Sequence, residues 1–263
     1  MARVLVTGGT GTLGREIVKL LRDGGHDVRI MSRRPQPASL PPQTEWAQAY
    51  IGTGTGLVEA VRDVQVIFHA ASATGFSREG RHVDVEGTRL LLEAARQANV
   101  SHVINISIVG IDRIPFSYYQ MKLAAEKVIA ESGVPWTNLR TTQFHNFIDI
   151  LLRMAARLPI MPLPTDFPFQ PVEVTEVAAR MVESMDEGPS GRLPDMGGPE
   201  VLRLGDMVRG WLRARRMNRL VVRLPLWGKT TDGFRRGYHT CSDCVKGKGT
   251  WSEWLERTYS KEG

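Results

Sequence analysis

The chain has 263 residues, 42% hydrophobic and 24% charged, which fits one large α/β domain or a domain with an addition and excludes a disordered or fibrous chain. No run reaches the roughly 18 consecutive apolar residues of a membrane span. The net charge of +6 favours phosphorylated or otherwise acidic ligands without naming one. Met1-Ala2-Arg3 leads straight into Val4-Leu5-Val6 with no room for a signal peptide, and two cysteines are too few for a disulfide framework, so the expected location is the cytoplasm.

Val4-Leu5-Val6 reads as a buried strand that stops at Thr7-Gly8-Gly9-Thr10-Gly11-Thr12-Leu13-Gly14. From Leu13 to Leu21 the apolar residues recur with helical spacing, Gly24-Gly25 is the stop signal, and Val28-Arg29-Ile30-Met31 is a second strand. Strand, glycine turn, helix and parallel return strand make the first half of a dinucleotide fold. Gly8, Gly11 and Gly14 remove Cβ atoms where the chain turns tightly and where a pyrophosphate approaches the backbone. Thr10, Thr12 and Leu13 lie at the helix start, whose free N–H groups and positive dipole end face the phosphates.

The end of the second strand selects the dinucleotide. An acidic residue about 20 positions past the glycines would hold the ribose 2′-hydroxyl of NAD. Ser32-Arg33-Arg34 stands there instead, a hydroxyl and two guanidinium forks suited to a 2′-phosphate, so NADP(H) is expected over NAD(H). The competing reading is a solvated basic loop tip before Pro35.

Residues 35 to 44 hold four prolines and form a surface loop. Val64 to Phe68 reads as a strand ending in His69-Ala70-Ala71-Ser72, whose small residues let a cofactor lie against the strand end. A helix over Val83 to Ala98, a strand over Val103 to Ile106, a helix over Tyr118 to Glu131 and a strand over Trp136 to Leu139 follow. This alternation is that of a Rossmann-type α/β protein with a doubly wound parallel sheet. Thr142, Gln143, Phe144 and His145 follow the last strand and fall at the sheet's carboxyl edge, where His145 is an acid–base candidate or a pocket-wall histidine.

Several of these segments together resemble a known family. The Thr7 to Gly14 turn, Asp84-Val85-Glu86-Gly87-Thr88 before Leu91-Leu92-Glu93-Ala94-Ala95, Ile104-Asn105-Ile106-Ser107, and Tyr118 with Lys122 before Ala124-Ala125-Glu126 are similar to extended and atypical short-chain dehydrogenase/reductases. Ile108-Val109-Gly110-Ile111-Asp112-Arg113, the segment from Thr142 to His145, and Gly197-Gly198-Pro199-Glu200 extend the match to their NmrA-like NAD(P)-binding branch. The resemblance implies either a reductase or a cofactor sensor without chemistry, and it gives Lys122 the nicotinamide ribose hydroxyls. It also departs in two places. Ile108 stands where relatives often have the second of two hydroxyl residues, which leaves Ser107 to contact substrate or cofactor. Tyr50-Ile51 replaces an Asp-Leu pair that contacts adenine, so adenine is expected to stack on Tyr50.

Tyr118 and Lys122 lie four apart and project from one helix face. An ammonium near a phenol lowers its pKa, and the tyrosine then exchanges a proton with a carbonyl oxygen while hydride moves. Tyr119 competes for the phenol role, and a half-buried tyrosine beside a solvated lysine is the plain reading.

Beyond the core, residues 159 to 171 carry five prolines and cannot be helical. A helix from Thr175 to about Met185 returns to the core, and a helix over Asp206 to Met217, a strand over Leu220 to Leu224 and a helix over Thr250 to Tyr259 complete the chain. The expected organisation is a cofactor domain over 1–145 with 171–200, and a small C-terminal substrate lobe over 146–170 and 201–263. Phe147, Leu151, Met154, Phe167, Leu226 and Trp227 make that lobe's pocket apolar, or else its core. Nine arginines between 203 and 236 read as a solvated face rather than a nucleic-acid surface. His239, Cys241 and Cys244 fall one ligand short of a structural zinc site, so neither metal nor redox use is expected.

The combined expectation is hydride transfer from NADP(H) to a small apolar carbonyl, enone or quinone, in a monomer or homodimer without nucleic-acid or membrane partners. A non-catalytic NAD(P)-binding regulator and a nucleotide-sugar epimerase are the rivals.

Overall fold

The computed structural model describes residues 1–72 and 82–260. In chain order, β1 (Arg3–Thr7), α1 (Thr12–Asp23), β2 (Asp27–Ser32), β3 (Thr44–Gln48), α2 (Leu57–Ala60) and β4 (Val66–His69) come first. A π-helical turn at His82–Glu86 leads into α3 (Gly87–Gln97), β5 (His102–Ile108), α4 (Ser117–Ala130), β6 (Trp136–Thr141) and α5 (His145–Ala155). Next are β7 (Ile160–Leu163), β8 (Pro168–Phe169), α6 (Val174–Glu187), β9 (Gly191–Arg192), β10 (Met196–Gly197) and β11 (Leu202–Arg203). The chain ends with α7 (Leu204–Ala214), β12 (Leu220–Arg223), α8 (Lys229–Arg235), β13 (Val245–Lys246) and α9 (Trp251–Tyr259). Two compact units result: Met1–Ser107 with Ser117–Leu139 and Val177–Leu193, and Ile108–Phe116 with Arg140–Glu176 and Pro194–Gly263.

In the first unit the strands lie in the order β6-β5-β4-β1-β2-β3, with β9 beside β6, and the registered pairs are parallel. This is the doubly wound order, in which β1 is central and the succession of strands reverses between β1 and β4 while all stay parallel. Val4, Leu5 and Val6 are fully buried, as a strand covered on both faces requires. Leu5, Ile67 and Val103 from the strands pack with Leu57, Leu91 and Ile129 from the helices in one core cluster. The expected Val83 to Ala98 helix is shorter than the pattern implied, because the π-helical turn occupies its first residues. The strand over Trp136 to Leu139 extends to Thr141.

The second unit gathers α5, α7 and α9 around Met161, Trp211, Trp251 and Trp254. Thr141 pairs with Met196, and β10 pairs with β13. Residues 159–171 are not helical, yet they carry two short strands: β7 pairs with β12 and β8 with β11. Proline is compatible with such peripheral pairs because only one of a strand's edges needs its N–H groups. Asp149 is the polar hub of this unit, accepting from Trp211 Nε1 at 2.7 Å, from Arg153 Nε at 2.7 Å and from the Tyr259 hydroxyl. Among the expected pocket residues, Phe147, Leu151, Met154 and Trp227 are exposed while Phe167 is buried.

Cys241 and Cys244 form a disulfide. Among the described residues, no cluster of His, Cys, Asp and Glu is suited to a metal ion, and no helix is long and apolar enough to cross a membrane.

Candidate functional site

The glycine turn is built by backbone proximity. Gly8 adopts φ +69°, and a Cβ there would lie 2.8 Å from Ala70 O and Ala71 N. A Cβ on Gly14 would lie 2.2 Å from Gly8 O, so α1 starts closer to β1 than any side chain permits. Gly11 N donates to Gly8 O at 2.8 Å, and Gly11 caps α1 without a side-chain bond. Thr10, Gly11 and Thr12 are exposed at that end and Leu13 is buried beneath it. Among the described residues no side chain caps the helix at Gly11, which leaves its first-turn N–H groups available and fits a pyrophosphate.

Polar wiring joins this turn to the neighbouring strand ends. His69 Nδ1 is 2.8 Å from Thr7 Oγ1, His69 Nε2 is 3.1 Å from Thr88 Oγ1, and Ala71 N donates to Thr7 Oγ1 at 3.2 Å. Burial, and then the nearby Lys122 charge, lower the His69 pKa to about 3, so the ring is a neutral strut. Ala70, Ala71 and Ser72 continue from it, with Ser72 exposed.

The Ser72 hydroxyl hydrogen-bonds the Tyr118 hydroxyl at 3.2 Å and approaches Asp84 Oδ2 at 3.5 Å. Tyr118 is half-buried on the first turn of α4 and is the phenol that reaches this cluster, whereas Tyr119 is 2% exposed in the core. One turn on, Lys122 is buried and its Nζ donates to Ile106 O at 3.2 Å. Ser107, next along β5, is buried, and its hydroxyl has no hydrogen-bond partner among the described residues. A buried orphan hydroxyl at a strand's carboxyl end fits a group supplied by a ligand.

The electrostatics differ from the expectation. Tyr118 is raised above the ordinary phenol value, chiefly by burial, with Asp84 adding to the rise and the Ser72 hydrogen bond opposing it. Lys122 is lowered by burial, while Asp84 and Glu126 pull it back up. The expected depression of the phenol is thus corrected: desolvation of the phenolate and the Asp84 carboxylate raise it, against the Ser72 hydrogen bond.

Arg33 and Arg34 are exposed past the end of β2, and Arg34 N donates to Ser32 Oγ at 3.2 Å. Trp46 Nε1 donates to Arg34 O at 3.1 Å, which fixes the backbone of that loop and leaves the guanidinium groups outward. Tyr50 is 39% exposed and pairs across a tight turn with Thr55, while Ile51 is buried beside the start of α3.

Thr142, Gln143 and Phe144 belong to the second unit. Thr142 donates through its hydroxyl to Gln170 O, Gln143 O accepts from Val172 N at 2.9 Å, and Phe144 precedes α5. His145 is fully buried, with Nδ1 3.6 Å from Glu173 and its ring packed against Trp251 and Trp254. It is a packing residue of that core rather than an exposed acid or base.

Asp84 was not singled out from the sequence as a site residue, yet it faces Ser72, Tyr118 and Lys122. Its signal is a buried acid in the turn before α3, where its own carbonyl accepts the Thr88 hydroxyl at 2.6 Å.

The family described as NAD(P)H-binding matches residues 8–187. Among curated proteins the chain is 28% identical over 204 residues to a (4-alkanoyl-5-oxo-2,5-dihydrofuran-3-yl)methyl phosphate reductase of Streptomyces griseus, covering 76% of this chain and 69% of that one. It is 30% identical over 161 residues to a 3-beta-hydroxysteroid dehydrogenase of Mycolicibacterium neoaurum, covering 51% of this chain and 44% of that one. It is 31% identical over 148 residues to the photosystem II assembly factor Ycf39 of Synechocystis, covering 54% and 45%. The match thus spans less than half the length of the latter two. Among solved structures, a short-chain dehydrogenase/reductase superfamily protein of Agrobacterium tumefaciens with bound NAD superposes with TM-score 0.74 at 18% identity, covering 99% and 97%. A nucleoside-diphosphate-sugar epimerase of Staphylococcus aureus superposes with TM-score 0.78 at 16% identity, covering 97% and 99%. The chain belongs to the NAD(P)H-binding family and has the Rossmann fold of the short-chain dehydrogenase/reductases.

Proposed function

We propose that the chain is an NADP(H)-dependent oxidoreductase that reduces a small apolar carbonyl, enone or quinone. The observation that carries this reading is the Tyr118 phenol, held by Ser72 at 3.2 Å on the helix face that also carries buried Lys122. When bound, the reduced cofactor supplies hydride. Tyr118 retains its proton at neutral pH because burial raises its pKa, and it donates that proton to the substrate oxygen as negative charge develops there. Ser72 fixes the phenol's orientation and is the second hydroxyl at the reacting oxygen. Lys122, braced by Ile106 O, orients the nicotinamide ribose, and the Ser107 hydroxyl takes a cofactor or substrate polar group.

At the other end, Ser32, Arg33 and Arg34 hold the 2′-phosphate and Tyr50 carries the adenine. Contacts from Thr142, Gln143 and Phe144 rest on the family resemblance. That the substrate is apolar rests on the apolar side chains that the sequence assigns to the C-terminal lobe. One observation favours a non-catalytic regulator: the residue after Ser107 is Ile108, without the second hydroxyl of many relatives. The similarity to Ycf39, a photosystem II assembly factor, points the same way.

Titration with NADPH and NADH, followed by loss of NADPH absorbance against aldehydes, enones and quinones, tests the proposal. The expected outcome is NADPH binding tighter by roughly tenfold or more, as an added charge-assisted contact provides, with turnover of at least one class. Tight NADPH binding with no turnover across the panel makes the chain a sensor. Equal affinities remove the 2′-phosphate assignment.

A further inference from the structure

We propose that Cys241 and Cys244 are a redox-active pair that exchanges with external dithiols and thereby controls the order of the loop around Gln170. The two sulfurs are bonded across only two intervening residues, Ser242 and Asp243. A ring this small restrains the unfolded chain far less than a long-loop cross-link, so stabilisation is a weak reason for the bond. Both cysteines are partly exposed, which exchange requires and a core staple does not.

The wiring around the pair points to a switch. Gln170 is 2% exposed, and its side chain accepts from Cys241 N at 2.8 Å, donates to Gly198 O at 2.9 Å and directs the same Nε2 at Cys244 Sγ at 3.9 Å. Its backbone carbonyl accepts the Thr142 hydroxyl at the end of β6. A Cβ on Gly197 would lie 2.9 Å from Cys241 Sγ, so the disulfide rests directly on the backbone of β10. β13 begins one residue after Cys244 and is held by Val245 N to Asp195 O and Gly247 N to Gly197 O. The buried His239 ring, packed on Phe169 and Phe234, anchors the segment before the pair, and Lys248 N and Gly249 N donating to Glu176 Oε1 anchor the segment after it; between these anchors the ties are the disulfide, the two-residue β13 and the Gln170 amide.

The chemistry balances as ordinary exchange. A dithiol's thiolate attacks Cys241 Sγ, the S–S bond breaks, and Cys244 leaves as a thiolate that the Gln170 N–H group stabilises. The second external thiol displaces Cys241, so the protein gains two electrons and two protons while the dithiol becomes a disulfide. Reduction removes the cross-link and loosens the segment over 241–247 and its hold on Gln170.

The test uses the full-length chain under native conditions. After treatment with dithiothreitol and quenching with iodoacetamide, intact mass should show two alkyl groups added without denaturant. Hydrogen exchange in 241–247 and around Gln170 should quicken roughly tenfold or more, the scale of a local opening, and should return on reoxidation with oxidised glutathione. The double variant Cys241→Ser/Cys244→Ser should exchange like the reduced protein and ignore dithiothreitol. Alkylation only after unfolding, or reduction that leaves exchange in 241–247 unchanged, overturns the proposal. So does a failure of the native dithiol to close under oxidised glutathione.

Discussion

Tyr118 keeps its proton because the phenolate would be buried beside Asp84, and that makes it a proton donor rather than a base at neutral pH. In the reductive direction Tyr118→Phe should lower kcat/KM by about 10²-fold or more with NADPH affinity unchanged. Ser72→Ala should fall between that variant and wild type. The wild-type rate should stay level from neutral pH into the ordinary phenol range and decline only beyond it, because a raised pKa keeps the acid form present; a fall centred below about pH 9 would show a depressed phenol instead. Arg33 is exposed past β2, and Arg33→Asp should weaken NADPH by at least tenfold while leaving NADH unchanged, read by fluorescence titration. These residues were legible in the sequence because each sits at a fixed offset from the glycine turn or shares a helix face. Asp84 was not, because its role comes from burial beside α4 and Ser72, which no local spacing encodes.

At the level of elements, β1, the glycine turn, α1 and β2 follow from the sequence because each hydrophobic period is short and ends in glycine. Gly14→Ala should test the turn most sharply. Its Cβ would collide with Gly8 O at 2.2 Å, a backbone atom that no rotamer change relieves, so α1 must shift from β1. Cofactor affinity should drop at least tenfold, and the far-UV spectrum should stay close to wild type because the sheet order does not depend on that contact. A variant that binds NADPH as wild type would show that the close approach of α1 is not what holds the phosphates. The second unit was less legible for a physical reason. β7 and β8 lie in a proline-rich stretch and exist only through partners in β12 and β11, more than 30 residues away. The apolar run on α5 gives one period for two faces: Ile148 and Leu152 enter the core, while Phe147, Leu151 and Met154 stay exposed. α8 leaves no legible pattern in the sequence because a seven-residue helix carries too few turns to show a period.

At the scale of the whole molecule, buried neutral histidines set the acid limit of both units. His69 is lowered to about 3 by burial and then by Lys122, His239 to about 4 by burial, and His102 is lowered by burial. His69 and His102 lie in the first unit and His239 in the second. The unfolded chain takes up protons at these histidines near the model value of 6.5, whereas the native rings resist until well below it. Between those limits the unfolded state binds more protons, so stability is complete above the unfolded value and is lost as pH falls, at about 1.4 kcal/mol per pH unit for each such group. Asp166 and Glu173 also hold depressed native values, but their loss begins only below the ordinary carboxylate values of 3.8 and 4.5, so it does not contribute in the histidine window. Against a typical total of about 5–15 kcal/mol, two or three such groups are a large fraction by pH 5. Urea midpoints should therefore be level near neutrality and fall steeply between about pH 6.5 and 4.5, where burial, joined at His69 by the Lys122 charge, keeps the rings unprotonated. His69→Gln should lower stability at pH 7.5, because the Thr7 and Thr88 bonds are cut back, yet show a shallower acid slope than wild type. Equal slopes in the two proteins would mean that His69 takes up its proton without unfolding the first unit, and the neutral strut beneath the glycine turn would have to be abandoned.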